Sequence, residues 1–458
     1  MNHDTKLAWR IAGSALLAIA GWPLAASAGV SELEARALQS ELTEIGAERA
    51  GNESGQIPRW DGGLVRRAVD GAATLQYQDP YPDDQPLYTV TAANMEQYRQ
   101  WLSPGQQALL QHFADSYAMP VYSSRRSAAS PPEIYAATAR NAVHARLSGD
   151  LDSVDGTTAG VPFPIPTHGA EVIWNHKLRY QGLDATRWNV QTAVTSGGDY
   201  TLSKLREDYS FDYHRTAFGL EPRDSNVLAY FAQLTTEPSR LAGTITLVHE
   251  TINQLQAPRR AWQYNPGQRR LRRAPNVGYD NPGSASDGLR TNDQTDSFNG
   301  ALDRYSWRLL GKREMLIPYN AYRVHSGALD YSELLGDQHL NQTHTRYELH
   351  RVWVVEAEVK PGTSHLYARR VFYVDEDSWQ IHAVDIYDKR GSLWRIQDAH
   401  SLMAYDQPYM FQALEVIYDL QAGRYLVHAM SNQEPERAPA QFDSGYFEPA
   451  NAKRLGRR

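Results

Sequence analysis

Residues 347–396 read YELHRVWVVEAEVKPGTSHLYARRVFYVDEDSWQIHAVDIYDKRGSLWRI, and this stretch decides the fold. Arg351 to Ala357 is β-branched and aromatic, and it stops at Lys360-Pro361-Gly362, which can turn but cannot continue a ladder. Tyr367 to Val374 then reads as a second strand, Trp379 to Tyr387 as a third and Ser392 to Ile396 as a fourth. The polar turns Asp375-Glu376-Asp377-Ser378 and Asp388-Lys389-Arg390-Gly391 separate them. Connections this short join antiparallel neighbours, because a parallel crossover needs a dozen or more residues. The stretch is predicted to be a meander.

Both faces of that meander are apolar. Trp353 with Val355, Phe372 with Val374, Trp379 with Ile381 and Tyr387, and Trp394 with Ile396 share faces, yet Val352, Val354, Val371, Tyr373, Val384 and Ile386 carry apolar groups on the other side. A sheet with two apolar faces must be covered on both or must enclose something. Helices packed on it and a lined hydrophobic cavity are both consistent with the pattern.

Working outward, a β-rich body begins near Val161. The proline-stiffened Val161-Pro162-Phe163-Pro164-Ile165-Pro166 leads into Glu171 to Tyr180, which reads equally as a strand or a helix turn. Further strands are expected at 187–195, 200–213, 227–235, 243–252, 261–265 and 268–274, the last two as a hairpin across Pro266-Gly267. About a dozen strands with short connections make an antiparallel sheet that curls to protect its edges. No internal repeat is visible, which disfavours a propeller or solenoid. Ahead of the body, residues 29–160 read as helices and loops: Ser31 to Ile45 after a Ser31 cap with Glu34, Ala92 to Phe113 interrupted by Pro104-Gly105, and a helix opened by Pro131-Pro132. The domain plan is therefore a leader over 1–28, a helical and loop region over 29–160, and a β body over 161–458.

Lys6 and Arg10 precede the apolar run 11–20, and Ala26-Ser27-Ala28 fits a cleavage site, so export with cleavage after Ala28 is expected. The chain has no cysteine, which excludes disulfides, thiolate metal sites, a cysteine nucleophile and a lipidated cysteine. A net charge of −7 argues against a polyanionic nucleic-acid partner. The 27 Tyr and 11 Trp suit strands, and they also line sites for lipids and sugars.

Catalytic and metal signals are weak. Asp287, Asn292, Asp293, Asp296, Asn299 and Asp303 lack the calcium-loop spacing and read as a solvated loop with Asx turns. No Gly-x-Ser-x-Gly elbow or His-Glu-x-x-His helix occurs, and the steps of five and six between His339, His344 and His350 fit no single face. Alternation in Arg269-Arg270-Leu271-Arg272-Arg273 splits the arginines between two faces, where they either cap acidic groups or meet an anionic ligand head.

The segments Gly46-Ala47-Glu48-Arg49-Ala50-Gly51-Asn52, Ile57-Pro58-Arg59-Trp60-Asp61-Gly62-Gly63, Pro162 to Pro166, Trp174-Asn175-His176, Arg179-Tyr180-Gln181-Gly182, Trp262 to Arg270, Phe298-Asn299-Gly300, Asp303-Arg304-Tyr305 and Pro318-Tyr319-Asn320 occur in that order. They resemble the signature stretches of a proteobacterial family of exported proteins of unknown function, related to outer-membrane lipoprotein-sorting proteins. The resemblance implies the fold of the carrier LolA and its receptor LolB: an unclosed antiparallel β-barrel whose concave side is lidded by helices and receives acyl chains. It further implies a periplasmic place, peripheral to the outer membrane, and partnership with an exporter of the resistance-nodulation-division type or an outer-membrane protein. It offers no catalytic residues.

The expectation is thus a mainly β protein, with a large curled antiparallel sheet covered by N-terminal helices, that carries a lipid or other hydrophobic molecule. It needs no cofactor, metal or catalytic group. Trp262, Tyr264, Trp353, Phe372 and Trp394 are the expected lining, with Arg269 or Arg272 at a polar mouth. An envelope hydrolase acting on lipid or glycan and a structural envelope protein are the alternatives.

Overall fold

The computed structural model describes residues 29–65, 77–274, 279–435 and 437–456, so the expected leader lies outside the described residues. In chain order the strands are β1 (Tyr88–Val90), β2 (Met119–Tyr122), β3 (Arg146–Ser148), β4 (Ser153–Asp155), β5 (Asp184–Val194), β6 (Ser203–Ser210), β7 (Val227–Glu237), β8 (Ile245–Thr251) and β9 (Arg260–Asn265). They continue with β10 (Arg270–Arg273), β11 (Tyr305–Pro318), β12 (Tyr347–Val359), β13 (Arg369–Asp375), β14 (Ile381–Tyr387), β15 (Leu393–Ala404), β16 (Tyr409–Asp419), β17 (Arg424–Met430) and β18 (Ala438–Pro439). The α-helices are α1 (Glu32–Ala35), α2 (Pro104–His112), α3 (Pro132–His144), α4 (Gly169–Leu178), α5 (Tyr331–Leu334) and α6 (Pro449–Leu455).

Apart from the β3–β4 hairpin, the strands form one sheet in the order β1-β2-β12-β13-β14-β15-β16-β17-β5-β6-β7-β8-β9-β10. β11 lies along the other edge of β12, and β18 adds to β5. The pairings are antiparallel except β2 with β12. β1 and β10 end the path without meeting, so the sheet is not closed. The expected meander is present as β12 to β15, with Val355 opposite Phe372 and Phe372 opposite Val384. β17 then returns beside β5, placing Tyr425 opposite Val194. That pairing, extended by β18 on β5, joins the two β runs of the chain edge to edge.

The two apolar faces of the meander are buried in separate clusters. Val355, Phe372, Val374, Trp379, Ile381, Val384 and Ile386 pack with Ala170, Val172, Ile173, Trp174 and Leu178 of α4. Val384 and Ile386 thus share the face of Trp379 and Ile381 rather than the opposite one, and Tyr387 lies on the other face, because the β13–β14 register shifts between Tyr373 and Val374 and inverts the alternation along β14. Val352, Val354, Val371, Tyr373 and Ala383 pack instead with Met315, Ile317, Tyr319 and Ala128. Burying side chains on both sides removes roughly 1.5–3 kcal/mol worth of exposed apolar surface per large residue, which no one-sided sheet achieves.

The ambiguous Glu171 segment is helical. His168 caps it through Nδ1, which accepts from the Ala170 amide at 3.1 Å, while Glu171 accepts from the His168 amide at 3.1 Å. All ten residues of α4 are buried, so periodicity could not mark a polar face. The helix expected over Ser31 to Ile45 is shorter. The Ser31–Glu34 capping box forms, but α1 lasts four residues and a 3-10 turn ends at Gln39. Beyond it, the Ile45 carbonyl accepts from the indole of Trp379, in the turn between β13 and β14, at 2.9 Å. Pro104 begins α2 rather than interrupting a longer helix, because Ser103 caps it and Gln106 closes the box. The region 29–160 also contributes β1 and β2 to the sheet, so it is more than helices and loops. Among the described residues no helix is long and apolar enough to cross a membrane.

Candidate functional site

Strand alternation builds a concavity on β5 to β8. Arg187, Asn189 and Gln191 on β5, Leu205, Glu207 and Tyr209 on β6, Phe231 and Gln233 on β7, and Thr246, Val248 and Glu250 on β8 all line one cavity, two residues apart on each strand. The register sorts them into rows. Arg187 stands opposite Glu207, Glu207 opposite Gln233, and Gln233 opposite Thr246. The next row is apolar, with Tyr209 opposite Phe231 and Phe231 opposite Val248. A polar stripe therefore runs beside an aromatic one. The segment 284–299 and the strands β16 and β17 complete the walls through Arg290, Phe298, Phe411, Glu415 and His428, around a volume of about 210 Å³.

Most charges in these walls are paired. The Arg187 guanidinium donates to Glu207 Oε2 at 3.0 and 2.7 Å, and Gln233 donates to Glu207 Oε1 at 2.9 Å. Burial works to raise the Glu207 carboxyl, but Arg187 and the Gln233 amide overcome it and hold the group below its usual range. Glu415 accepts from His428 Nε2 at 3.0 Å and from the Ser297 amide at 3.1 Å. Asp296 accepts from Arg179 at 2.6 Å.

Arg290 differs. It is buried, its Nη1 donates to the Thr295 hydroxyl at 2.9 Å, and its Nε has no partner among the described residues. Among the described residues no carboxylate lies within ion-pairing distance of it. Burial pushes its pKa down, the expected response of a cation taken from water without a counter-charge. Gly283 makes room for it, since a Cβ there would meet the guanidinium at 3.1–3.2 Å.

The seven residues expected at the site lie elsewhere. Trp262 and Tyr264 pack in a cluster with Phe447 and Ala452 of the C-terminal segment. Arg269 and Arg272 are exposed on the β9–β10 hairpin. Trp353 stacks on Trp379 with centroids 6.2 Å apart, Phe372 is fully buried against Phe298 and Trp307, and Trp394 donates its indole N–H to Asp419. The aromatic faces of the meander thus meet α4 and neighbouring rings, and the cavity lies further along the sheet. The signal that could have located it was the mixed alternation in Arg187-Trp188-Asn189-Val190-Gln191 and Glu207-Asp208-Tyr209, where charged groups recur on the face opposite Val190.

An open, predominantly antiparallel β protein with helices on its faces and an amphipathic concavity is the class that these features define. The chain belongs to the family described as "Protein of unknown function (DUF1329)", whose model matches residues 89–453. It is 48% identical over 411 residues to "Uncharacterized protein PA3922" of Pseudomonas aeruginosa, covering 89% of this chain and 90% of that one. Among solved structures it is similar to a DUF1329 family protein from Desulfovibrio piger, with a TM-score of 0.42 and 15% identity, over 61% of this chain and 95% of that chain. It is also similar to a putative outer membrane lipoprotein-sorting protein domain from Vibrio parahaemolyticus, with a TM-score of 0.43 and 14% identity, over 62% and 98% of the two chains.

Proposed function

We propose that this chain is a periplasmic binding or carrier protein for an anionic amphipathic molecule of the lipid class, held in the concavity of β5 to β8. The observation that carries this reading is Arg290, a buried cation without a carboxylate partner among the described residues, set in the wall of a cavity that also offers Tyr209, Phe231 and Val248. An unpaired buried charge costs stability unless something compensates it, and a ligand carboxylate or phosphate does so through charge-assisted hydrogen bonds. The neighbouring aromatic row accepts the apolar part of the same molecule.

The volume narrows the choice. At about 210 Å³ it falls below the range of about 300–1,000 Å³ typical of drug-sized pockets, so it suits a head group with its first carbons rather than a whole diacyl lipid. Binding of this kind needs no catalytic group. Export, and hand-over to a resistance-nodulation-division-type exporter or an outer-membrane protein, belong to the same proposal.

The test is native mass spectrometry of protein purified from its own periplasm, followed by titration with a fluorescent fatty acid. A co-purifying anionic amphiphile, or saturable probe binding that Arg290→Met abolishes, is the expected result. Wild-type protein that carries no amphiphile and binds no probe overturns the reading.

A further inference from the structure

On the sheet face that carries Val352 and Val354, opposite to α4, His350 of β12 meets the end of β13. Its Nδ1 lies 3.8 Å from Asp375 Oδ1 and 3.9 Å from Asp377 Oδ2, and the three donor atoms all lie within 4.8 Å of one another. These separations are too long for hydrogen bonds, which close at about 2.7–3.2 Å. The two distances from the imidazole match donors sharing one ion, since two ligands each about 2.0–2.2 Å from a metal stand roughly 3–4 Å apart. Asp375 is fully buried, and its Oδ1, the atom turned toward His350, accepts no hydrogen bond from the described residues.

Everything around these three atoms is already committed in the way a metal site requires. His350 Nε2 lies 3.2 Å from Glu348 Oε2, the carboxylate contact that fixes a ligating imidazole with its other nitrogen free. Glu348 is itself held by Arg346 at 2.6 Å, Asn320 at 2.9 Å and the Arg125 amide at 2.8 Å. The second oxygen of Asp375 accepts from Ser378 at 2.6 Å and Tyr319 at 3.2 Å. Asp377 is oriented by Arg126, whose Nε and Nη2 donate at 2.8 and 2.6 Å. Each carboxylate oxygen has two lone pairs, so Oδ2 of Asp377 keeps one for a cation. Arg126 occupies the left-handed region at φ 37°, a conformation that persists only where the surroundings impose it. Tyr319 stacks on the imidazole at 4.0 Å and shuts it from solvent.

We propose that His350, Asp375 and Asp377 bind one divalent first-row transition ion, of the Zn²⁺ or Mn²⁺ class. One imidazole and two carboxylates without sulfur select such an ion over a soft one. Its burial makes it a structural ion. Through Arg126, which also donates to the carbonyls of Glu48 at 2.7 Å and Pro58 at 3.2 Å, it ties the segment 48–58 to the end of β13.

The experiment uses the full chain, with elemental analysis as purified, then chelation and titration with Zn²⁺ or Mn²⁺ alone. The expected result is one equivalent bound and a melting temperature raised by about 3 °C or more. Asp375→Asn and His350→Gln should each lower affinity at least tenfold and remove the thermal shift. Because a variant could fail to fold, wild-type protein loaded with Co²⁺ provides a second measurement, and X-ray absorption should show one imidazole among oxygen donors. Wild-type protein that takes up neither ion, variants that bind as tightly as wild type, or a cobalt shell without imidazole each overturn the site.

Discussion

The amide of Gly105 donates to Asp385 Oδ1 at 3.0 Å, and a Cβ on Gly105 would stand 2.2 Å from that same oxygen. The first turn of α2 is thereby seated on β14, with the Ser103 hydroxyl adding a second bond to Asp385 at 3.1 Å. Gly105 is at the start of a helix, where glycine gives no conformational advantage, so the close approach is its reason. Gly105→Ala is expected to lower stability by about 1–3 kcal/mol through overpacking against Asp385 and Ile396. Denaturant unfolding checks this, and an unchanged midpoint would refute the contact.

Arg290→Met separates binding from folding. It removes a buried unpaired cation, so the melting temperature should hold or rise, whereas affinity for an anionic amphiphile should fall at least tenfold, the equivalent of about 1.4 kcal/mol. A neutral alcohol of the same chain length should lose little. Equal losses for acid and alcohol would remove Arg290 from head-group recognition.

Asp398 on β15 is fully buried and neither of its carboxylate oxygens has a partner among the described residues. Burial, with the nearby Asp385, pushes its pKa up to about 7. A carboxyl raised in the folded state contributes stability that is present below its unfolded value near 3.9 and is lost as pH rises through about 7. Asp398→Asn carries no charge at any pH, so its melting temperature should gain on wild type between pH 5 and pH 8. A difference independent of pH across that window would sink the assignment.

Trp174 is fully buried at the centre of α4 and donates its indole N–H to the Leu151 carbonyl at 2.9 Å. Trp174→Ala should cost about 3–5 kcal/mol by opening a cavity beneath the meander. Circular dichroism melts against wild type test it, and a loss under about 1 kcal/mol would mean that α4 does not anchor that face.

The candidate sites were less legible than the sheet. Arg187 and Glu207 are twenty residues apart, and only the β5–β6 register makes them partners and places Tyr209 in the row beside them. His350 was visible as a histidine at unhelpful spacing from His339 and His344. Its relation to Asp375 and Asp377 depends on Val352 standing opposite Asp375 across β12 and β13, which no count along the chain provides. The aromatic residues of the meander are large. Their size suits core packing as well as ligand lining, and in Phe372 and Trp353 the core took them.

The chain's own pattern determined the meander, its turns and the need to cover two faces, because alternation and turn chemistry act between neighbours in sequence. It also determined the cap of α1, which depends on residues three apart. The tertiary structure alone decided that β17 pairs with β5, that β2 runs parallel to β12, and that α4 is a buried helix rather than a strand. Those choices rest on contacts between distant segments, where burial of both partners sets the outcome and local propensity is silent.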